Sequence, residues 1–430
     1  MAQREISEDI QVGGEKYWTV TDEGKAVTNL NGAVGHAAKA ADVDYVGGLP
    51  IRPTTGVVNE LANIIQDNDH KASFNRAVSE HEMAALVCGA GLAGARTLHH
   101  SSGVGVTVVS EVFWSIATYR LPVLFACGNR VLDQPGSFGP EMTEAMTFDT
   151  VPMLQLYPEN PQEGYDMTLA AYRIGEDPKV QLPMSMVFEG HYVTHVREEL
   201  DPVTDSEARE YVGDLREKAF SEEGFQPLDP RNGTPVQKGT QVATGQIMEF
   251  KKKADEAMFN ARDDVIPQAF DELEEITGRE YSQVMEYKMD DADLAFVTIA
   301  GGMTAVAKEL TDKLREEEDL NIGVVRPLVY RPFPTERLAD SLRGLDAIAV
   351  CDNNEPSGAA ADGGKLFREV RATLYEEDQD VRPNVLGYVL GLGGREFSHV
   401  HFEEIVDELK DTQEAGEIQG KDVRWKGYRE

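Results

Sequence analysis

The chain has 430 residues, with 76 Asp and Glu against 41 Lys and Arg, and a formal net charge of −35. A surface this acidic repels polyanions, so nucleic acid and anionic membranes are not expected as partners. The length predicts two domains, and the lack of apolar runs near the roughly 20 residues of a membrane span predicts a cytoplasmic protein.

Acidic residues are spread along the chain and do not form one tail, which favours a salt-adapted source over an ordinary acidic cytosolic enzyme. The three cysteines are Cys88, Cys127 and Cys351. They lie in apolar or strand-like surroundings and form no Cys-x-x-Cys pair, so the sequence predicts buried reduced thiols and no metal site.

Short strands alternate with helices along the first half of the chain. The predicted elements are an edge strand at 17–21, helices at 31–41, 83–95 and 108–119, and strands at 44–50, 121–127 and 183–188. This alternation predicts a parallel sheet with helices on both faces. The helix at 83–95 contains only Met, Ala, Leu, Val, Cys and Gly, so we expect it to be buried on every side.

Three loops of such a sheet fall at the carboxyl ends of strands, where functional groups collect. They are 50–55, 99–105 and 129–138. The adjacent His99 and His100 suggest a metal site, but neighbouring residues on a strand point to opposite faces, so we do not expect one.

The second half begins with a strongly charged region. We predict an N-terminal extension (1–30), a first domain (31–250), a charged helical linker (251–290), a second α/β domain (291–411) and an exposed polar tail (412–430). The linker either wraps a neighbouring subunit or is a solvated connection. Gly301-Gly302 follows a strand, but no full G-x-G-x-x-G follows it, which favours a structural turn over a phosphate site.

Four motifs occur in a distinctive order: Pro50-Ile-Arg-Pro-Thr-Thr55, Ser79-Glu80-His81-Glu82, Arg120-Leu-Pro122 and Asn129-Arg130. Together they resemble the alpha subunit of the pyruvate:ferredoxin oxidoreductase family, over a span from about Asn31 to Leu409. The resemblance implies an α/β fold, in which a doubly wound, thiamine diphosphate-binding domain of the pyrimidine type precedes a transketolase C-terminal-like domain. It also implies a 2-oxoacid oxidoreductase.

The resemblance assigns cofactor roles to three residues. In that family the acid of the Ser-Glu pair binds the pyrimidine ring, and here that acid is Glu80. A carboxyl group can exchange a proton with the ring, which an amide cannot. The alternative is that Glu80 only caps the following helix. The family's Thr-Ser-Ser-Gln-Gly run places Ser101 and Ser102 at the cofactor, with Gly103 where the Gln usually stands.

The chain lacks a Gly-Asp-Gly followed at a distance by Asn-Asn, the motif with which the family holds magnesium and the diphosphate. The resemblance therefore implies a beta subunit that carries these groups, and an alpha subunit that is inactive alone. It further implies [4Fe-4S] clusters on an iron–sulfur or gamma-type subunit, ferredoxin as acceptor, and coenzyme A if the substrate is pyruvate. A non-catalytic scaffolding subunit is the alternative, and the presence of Glu80 argues against it.

Positions at which this chain differs from the pyruvate-oxidising members of the family indicate its substrate. Arg52 replaces the threonine of Pro-Ile-Thr-Pro, and a guanidinium suits a second carboxylate better than a methyl group. Arg130 matches the family's carboxylate-binding arginine, while Asp133 and Phe138 resemble an acid and a phenylalanine of the oxalate-oxidising branch. We therefore expect oxalate, with Asp133 balancing the arginines, and keep pyruvate as the alternative. In that alternative Arg52 faces solvent or a partner subunit.

Overall fold

The computed structural model describes residues 17–132, 136–229, 236–239, 245, 247–358 and 362–429. Within these ranges, no helix combines the length and the apolar character that crossing a bilayer requires. All three cysteines are buried and free of disulfides, as the sequence predicts.

The first domain is built on a sheet that has seven strands within the described residues. In spatial order they are β13 (Val329–Arg331), β7 (Leu154–Leu156), β8 (Met184–Glu189), β6 (Leu124–Asn129), β5 (Thr97–Ser101), β3 (Tyr45–Gly48) and β4 (Ser73–Arg76). Every neighbouring pair is parallel except β13 and β7. The predicted parallel sheet is therefore confirmed. Beside it, β1 (Thr19–Val20), β2 (Ala26–Thr28) and β9 (Glu198–Leu200) form a small antiparallel sheet.

Helices of the first domain pack against the parallel sheet and against one another. They are α1 (Leu30–Ala40), α2 (Thr55–Gln66), α3 (Glu80–Leu92), α4 (Val104–Thr118), α5 (Thr143–Met146), α6 (Pro161–Gly175), α7 (Tyr192–His195), α8 (Asp205–Val212), α9 (Leu215–Ala219), α10 (Ile247–Asn260) and α11 (Ile266–Thr277). A π-helical turn, Ala261–Val265, joins α10 to α11.

Two expectations about helices need correction. Helix α3 buries only one face, which includes Met83 and Val87, while Leu86 is exposed, so its predicted burial on every side is wrong. Its small side chains pack closely on one side and leave the other open. Helix α11 is not a solvated connection, because its apolar residues Ile266, Ala269, Phe270 and Leu273 are buried where the helix packs on α6.

The second domain has its own sheet, which contains six strands within the described residues. In spatial order they are β10 (Val284–Tyr287), β12 (Ile322–Pro327), β11 (Leu294–Val297), β14 (Ala347–Asp352), β15 (Asn384–Val389) and β16 (Val423–Trp425). Its helices are α12 (Gly301–Glu318), α13 (Thr335–Leu342), α14 (Lys365–Tyr375) and α15 (His399–Ala415), and 3-10 turns lie at Gln379–Val381 and Leu392–Gly394. Residues 423–425 of the predicted polar tail form β16 and pair with β15, although Trp425 is exposed.

The two domains interlock. Strand β13 comes from the second domain but pairs with β7 of the first sheet. The buried Arg326 also reaches across, donating to the Tyr157 carbonyl at 2.7 Å and to the Glu163 carboxylate at 2.6 Å. At the start of α12, the Gly302 N–H donates to the Glu189 carboxylate at 2.6 Å. A protein carboxylate therefore occupies the Gly301-Gly302 turn, in agreement with a structural role.

Candidate active site

The acid at the start of α3 is not needed to cap that helix. The Ser79 hydroxyl accepts the Glu82 N–H at 3.1 Å, and the Glu82 carboxylate accepts the Val78 N–H at 2.7 Å. The Glu80 side chain makes no hydrogen bond or ion pair with any residue that the structure describes. Its carboxylate is therefore available to a ligand.

Glu80 lies beside Ser101 at the first turn of α4. A Cβ atom added to Gly105 would lie 2.5 Å from the Ser101 Oγ and 2.8 Å from the Glu80 Cγ, so glycine lets both groups approach this turn. Ser101 and Ser102 are fully buried, and neither hydroxyl has a hydrogen-bond partner in the described part of the chain. A buried polar group left unsatisfied costs about 1–3 kcal/mol, which favours a polar ligand here.

The side chains of Arg52, Arg130 and Phe138 meet at the same edge of the sheet. The guanidinium carbon of Arg52 lies 5.8 Å from the centre of the Phe138 ring, and that of Arg130 lies 5.4 Å from it. The phenyl group is 58% exposed. The Arg130 Nε is buried and has no hydrogen-bond partner among the described residues. Two cations therefore lie close to one aromatic ring, and both Arg52 and Phe138 are exposed in this chain. Asp133 lies outside the described residues.

His100 fixes the loop that carries Arg52. The Leu49 N–H donates to the Nε2 of His100 at 3.4 Å, and the Nδ1 lies 3.0 Å from the Thr54 hydroxyl. That hydroxyl donates to the Ile51 carbonyl at 3.2 Å, which assigns the His100 proton to Nδ1. Burial lowers the pKa of His100 to about 3, so the ring is neutral.

His99 points to the other face of the strand, as expected. Its ring centre lies 5.4 Å from that of Phe113 and 5.1 Å from that of Phe125, inside an aromatic cluster. Burial lowers the pKa of His99 well below its ordinary value. Within the described residues, no group of three or more His, Cys, Asp or Glu side chains is arranged to hold a metal ion.

Two reciprocal hydrogen bonds close the base of the loop that begins at Arg130. The Glu144 Oε1 accepts the Arg130 N–H at 2.8 Å, and the Asn129 Oδ1 accepts the Ala145 N–H at 3.0 Å. Glu144 is fully buried, and burial raises its pKa well above the ordinary value, opposed by the N–H groups of Arg130 and Gly103 and by the Arg130 charge. Sequence reasoning missed this acid; its only signal is a lone carboxylate between Met142 and Met146.

Gly103 makes room for the second arginine. Its φ is +62°, and a Cβ atom at this position would lie 2.6 Å from both Nε and Nη2 of Arg130. The guanidinium therefore occupies space that a side chain at residue 103 would need. The glycine that stands in place of the family's Gln therefore leaves the space that the Arg130 guanidinium occupies.

Comparison with family profiles identifies both domains. The profile described as pyruvate flavodoxin/ferredoxin oxidoreductase, thiamine diphosphate-binding, matches residues 36–269. The profile of pyruvate:ferredoxin oxidoreductase core domain II matches residues 292–402. The first match covers more than half of the chain and includes Arg52, Glu80, Arg130 and Phe138.

Curated relatives match nearly the whole chain. Pyruvate synthase subunit PorA of Pyrococcus abyssi is 31% identical over 405 residues, which are 94% of this chain and 98% of that protein. PorA of Thermotoga maritima is 31% identical over 407 residues, with 94% and 98% covered. Ketoisovalerate oxidoreductase subunit VorA of Pyrococcus horikoshii is 29% identical over 402 residues, with 93% and 97% covered.

A solved structure shares the fold. It is 2-oxoglutarate:ferredoxin oxidoreductase from Magnetococcus marinus with 2-oxoglutarate, coenzyme A and succinyl-CoA bound, and it superimposes with a TM-score of 0.67 at 17% identity. The match covers 90% of this chain and 65% of that longer chain, so this chain spans slightly less than two thirds of it. The two family profiles and the full-length relatives confirm the resemblance read from the motifs. This chain belongs to the pyruvate:ferredoxin oxidoreductase family, as a subunit of a 2-oxoacid oxidoreductase.

Proposed function

We propose that this chain is the alpha subunit of a 2-oxoacid:ferredoxin oxidoreductase and holds the pyrimidine half of thiamine diphosphate through Glu80. The observation that carries the proposal is the Glu80 carboxylate beside the Ser101 hydroxyl, followed in sequence by that of Ser102, all three without a hydrogen-bond partner among the described residues. An acid and two hydroxyls fit a ring with a basic nitrogen and an amino group. When bound, thiamine diphosphate supplies a nucleophilic carbon and an electron sink. Glu80 holds the proton at the ring nitrogen.

A partner subunit is needed to complete this site. Four apolar side chains on or beside α3 and α4 are exposed in this chain: Val78, Leu86, Val104 and Val108. Exposed apolar groups on adjacent helices are typical of protein interfaces. We assign this face to a beta subunit that holds magnesium and the diphosphate. [4Fe-4S] clusters on a further subunit would pass the electrons to ferredoxin.

We favour oxalate as the substrate. Oxalate has two carboxylates and no alkyl group, so Arg130 can bind one carboxylate and Arg52 the other through charge-assisted hydrogen bonds. Both guanidinium groups lie within 5.8 Å of the centre of the Phe138 ring, which supports one small dianion between them. Its oxidation releases two molecules of carbon dioxide and two electrons. Pyruvate, oxidised with coenzyme A to acetyl-CoA, is the second candidate, because relatives at 31% identity are pyruvate synthase subunits.

The cofactor assignment is tested with Glu80→Gln in the assembled complex. Loss of proton exchange should reduce turnover about a hundredfold, the usual scale for a general acid–base group. Glu210→Gln on α8 is the matched control, because Glu210 is exposed and lies outside the face assigned to the beta subunit. Near-normal turnover of Glu80→Gln would overturn the assignment and favour a scaffolding subunit.

The substrate assignment is tested with Arg52→Thr. A guanidinium left facing a methyl group costs on the order of 1–3 kcal/mol, so the variant should shift the ratio of kcat/KM values from oxalate toward pyruvate by about tenfold to a hundredfold. Arg76→Thr on β4 is the control, because Arg76 is an exposed arginine of the same sheet. If the wild type prefers pyruvate, or if Arg52→Thr does not change the ratio of kcat/KM values, pyruvate and not oxalate is the substrate.

A further inference from the structure

The segment that presents Phe138 rests on the second domain. Gly139 lies so close to Gly394 that a Cβ atom on Gly139 would be 2.5 Å from the Gly394 Cα. Two residues later, the Glu141 Oε2 accepts the Gly393 N–H at 2.7 Å. The following Met142 N–H donates to the Asn353 carbonyl at 3.1 Å. Three successive contacts therefore join residues 139–142 to two loops at the carboxyl edge of the second sheet.

The Glu141 side chain is built into this contact. It is buried, with an exposed fraction of 8%, and its other oxygen accepts the Thr143 hydroxyl at 2.6 Å. Both carboxylate oxygens therefore have partners, one in its own loop and one in the second domain. A buried carboxylate bound on both sides holds its backbone in place, because moving the loop would leave the charge unpaired.

The turn on the second domain requires glycine for two separate reasons. Gly393 and Gly394 have φ values of +66° and +70°, which disfavour any residue with a Cβ atom. In addition, a Cβ atom on Gly394 would lie 2.7 Å from the Gly139 Cα and 2.8 Å from the Ser137 Oγ. Among the described residues, a Cβ atom on Gly393 would meet nothing within 4 Å. Gly393 and Gly394 thus have similar backbone conformations, but only Gly394 lies in close contact with the loop that contains Ser137 and Gly139.

We propose that this contact, formed by Glu141, Met142, Asn353, Gly393 and Gly394 and called here the loop clamp, positions Phe138 under the two arginines and thereby sets substrate affinity. The Phe138 ring is more than half exposed, so packing in the core does not fix its position and the backbone on either side must do so. Glu141 is a positioning residue in this proposal and touches no substrate. The inference rests on the proposed function, because it takes Arg52, Arg130 and Phe138 as the substrate site.

The first test compares Glu141→Ala with Glu141→Gln in the assembled complex. The glutamine keeps an oxygen for the Gly393 N–H and an amide for the Thr143 hydroxyl, whereas alanine removes both. In Glu141→Ala the amides of Met142 and Gly393 should exchange hydrogen about tenfold faster, and KM should rise about tenfold with little change in kcat, the loss expected for one hydrogen bond to a charged group. Glu141→Gln should restore most of both effects.

A second pair of variants keeps the test valid if Glu141→Ala fails to fold. Gly394→Ala and Gly393→Ala introduce similar backbone strain, but only the first pushes against Gly139 and Ser137. Gly394→Ala should therefore raise KM at least fivefold more than Gly393→Ala does, on the scale at which small displacements of a site reduce activity. Equal effects of the two variants would overturn the loop clamp.

Amide exchange needs no substrate, which separates this inference from the substrate assignment. Faster exchange with an unchanged KM would show that the clamp does not set affinity, and unchanged exchange would show that Glu141 does not hold the loop. Either result overturns the inference. Failure of Arg52→Thr to shift the substrate ratio, with the Glu141 effects intact, would instead overturn the assignment of oxalate alone.

Discussion

Substitution of Gly103 by alanine should displace Arg130 and weaken substrate binding. The backbone at Gly103 has φ +62° and ψ −143°, a combination that costs a residue with a side chain on the order of 1–3 kcal/mol. The new Cβ atom would also lie 2.6 Å from two nitrogens of the Arg130 guanidinium, so that group must move. Gly103→Ala therefore combines strain with a specific displacement.

The size of the effect follows from the contact that is lost. A hydrogen bond from a guanidinium to a substrate carboxylate contributes about 1.5–3 kcal/mol, so KM should rise roughly tenfold to a hundredfold. The control is Gly213→Ala, at φ +76° and ψ −178°, where the nearest atom to a new Cβ is the flexible Lys218 Cε at 3.4 Å. It introduces comparable strain at the end of α8, where the Gly213 carbonyl accepts from Arg96 and not from Arg52 or Arg130.

The assay measures kcat and KM of the assembled complex for oxalate and for pyruvate, together with the thermal stability of each variant. Both variants should lose stability by a similar amount, and only Gly103→Ala should raise KM. If both variants change kcat/KM by the same factor, strain and not the position of Arg130 explains the loss. If Gly103→Ala leaves KM unchanged, Arg130 does not bind the substrate.

Three further predictions concern stability. Burial raises the pKa of Glu189 to about 8, above its unfolded value, so the free energy of unfolding should fall by roughly 5 kcal/mol as pH rises from about 4.5 to 8. Glu189→Gln should flatten this slope in denaturant titrations at several pH values. Burial lowers the pKa of His100 to about 3, so the contribution of the neutral ring to the free energy of unfolding should be complete above pH 6.5 and be lost toward pH 3. His100→Gln should remove that part of the acid sensitivity in the same titrations. Arg96→Ala removes the two hydrogen bonds, of 2.6 and 2.8 Å, that the guanidinium donates to the buried Glu176 and leaves Lys218, at 3.8 Å, as a more distant cation. The variant should cost about 3–5 kcal/mol in urea unfolding, more than the double variant that combines Arg96→Met with Glu176→Leu.

The sequence predicts local features of this fold well, because they depend on neighbouring residues. Helix α1, the parallel strands and the opposite orientations of His99 and His100 all follow from periodicity and alternation. Strand β13 was not predicted, because its three residues pair with a strand from another domain and no local pattern encodes that partner. Strand β16 was missed for the same reason: it is short and completes a distant sheet edge.

The residues of the candidate site also fall into those that the sequence predicts and those that only the tertiary structure reveals. Motif order places Arg52, Ser101, Arg130 and Phe138 in three loops and Glu80 at the start of α3, and the structure brings these segments to one edge of the sheet. Glu144 carries no motif and becomes visible only when its carboxylate is seen to accept the Arg130 N–H. Glu141 likewise depends on a residue about 250 positions later in the chain, a contact that only tertiary structure reveals.

The strand exchanged between the domains has a practical consequence for fragments of this protein. A fragment that ends near residue 290 would keep the nucleus of the first sheet but lose β13, which pairs with Leu156 and Gln155 of β7. The outer edge of β7 would then expose unpaired N–H and C=O groups next to buried apolar residues, an arrangement that promotes association between copies. We therefore expect the isolated first domain to aggregate on expression, and a fragment that retains β13 on the second domain to aggregate less.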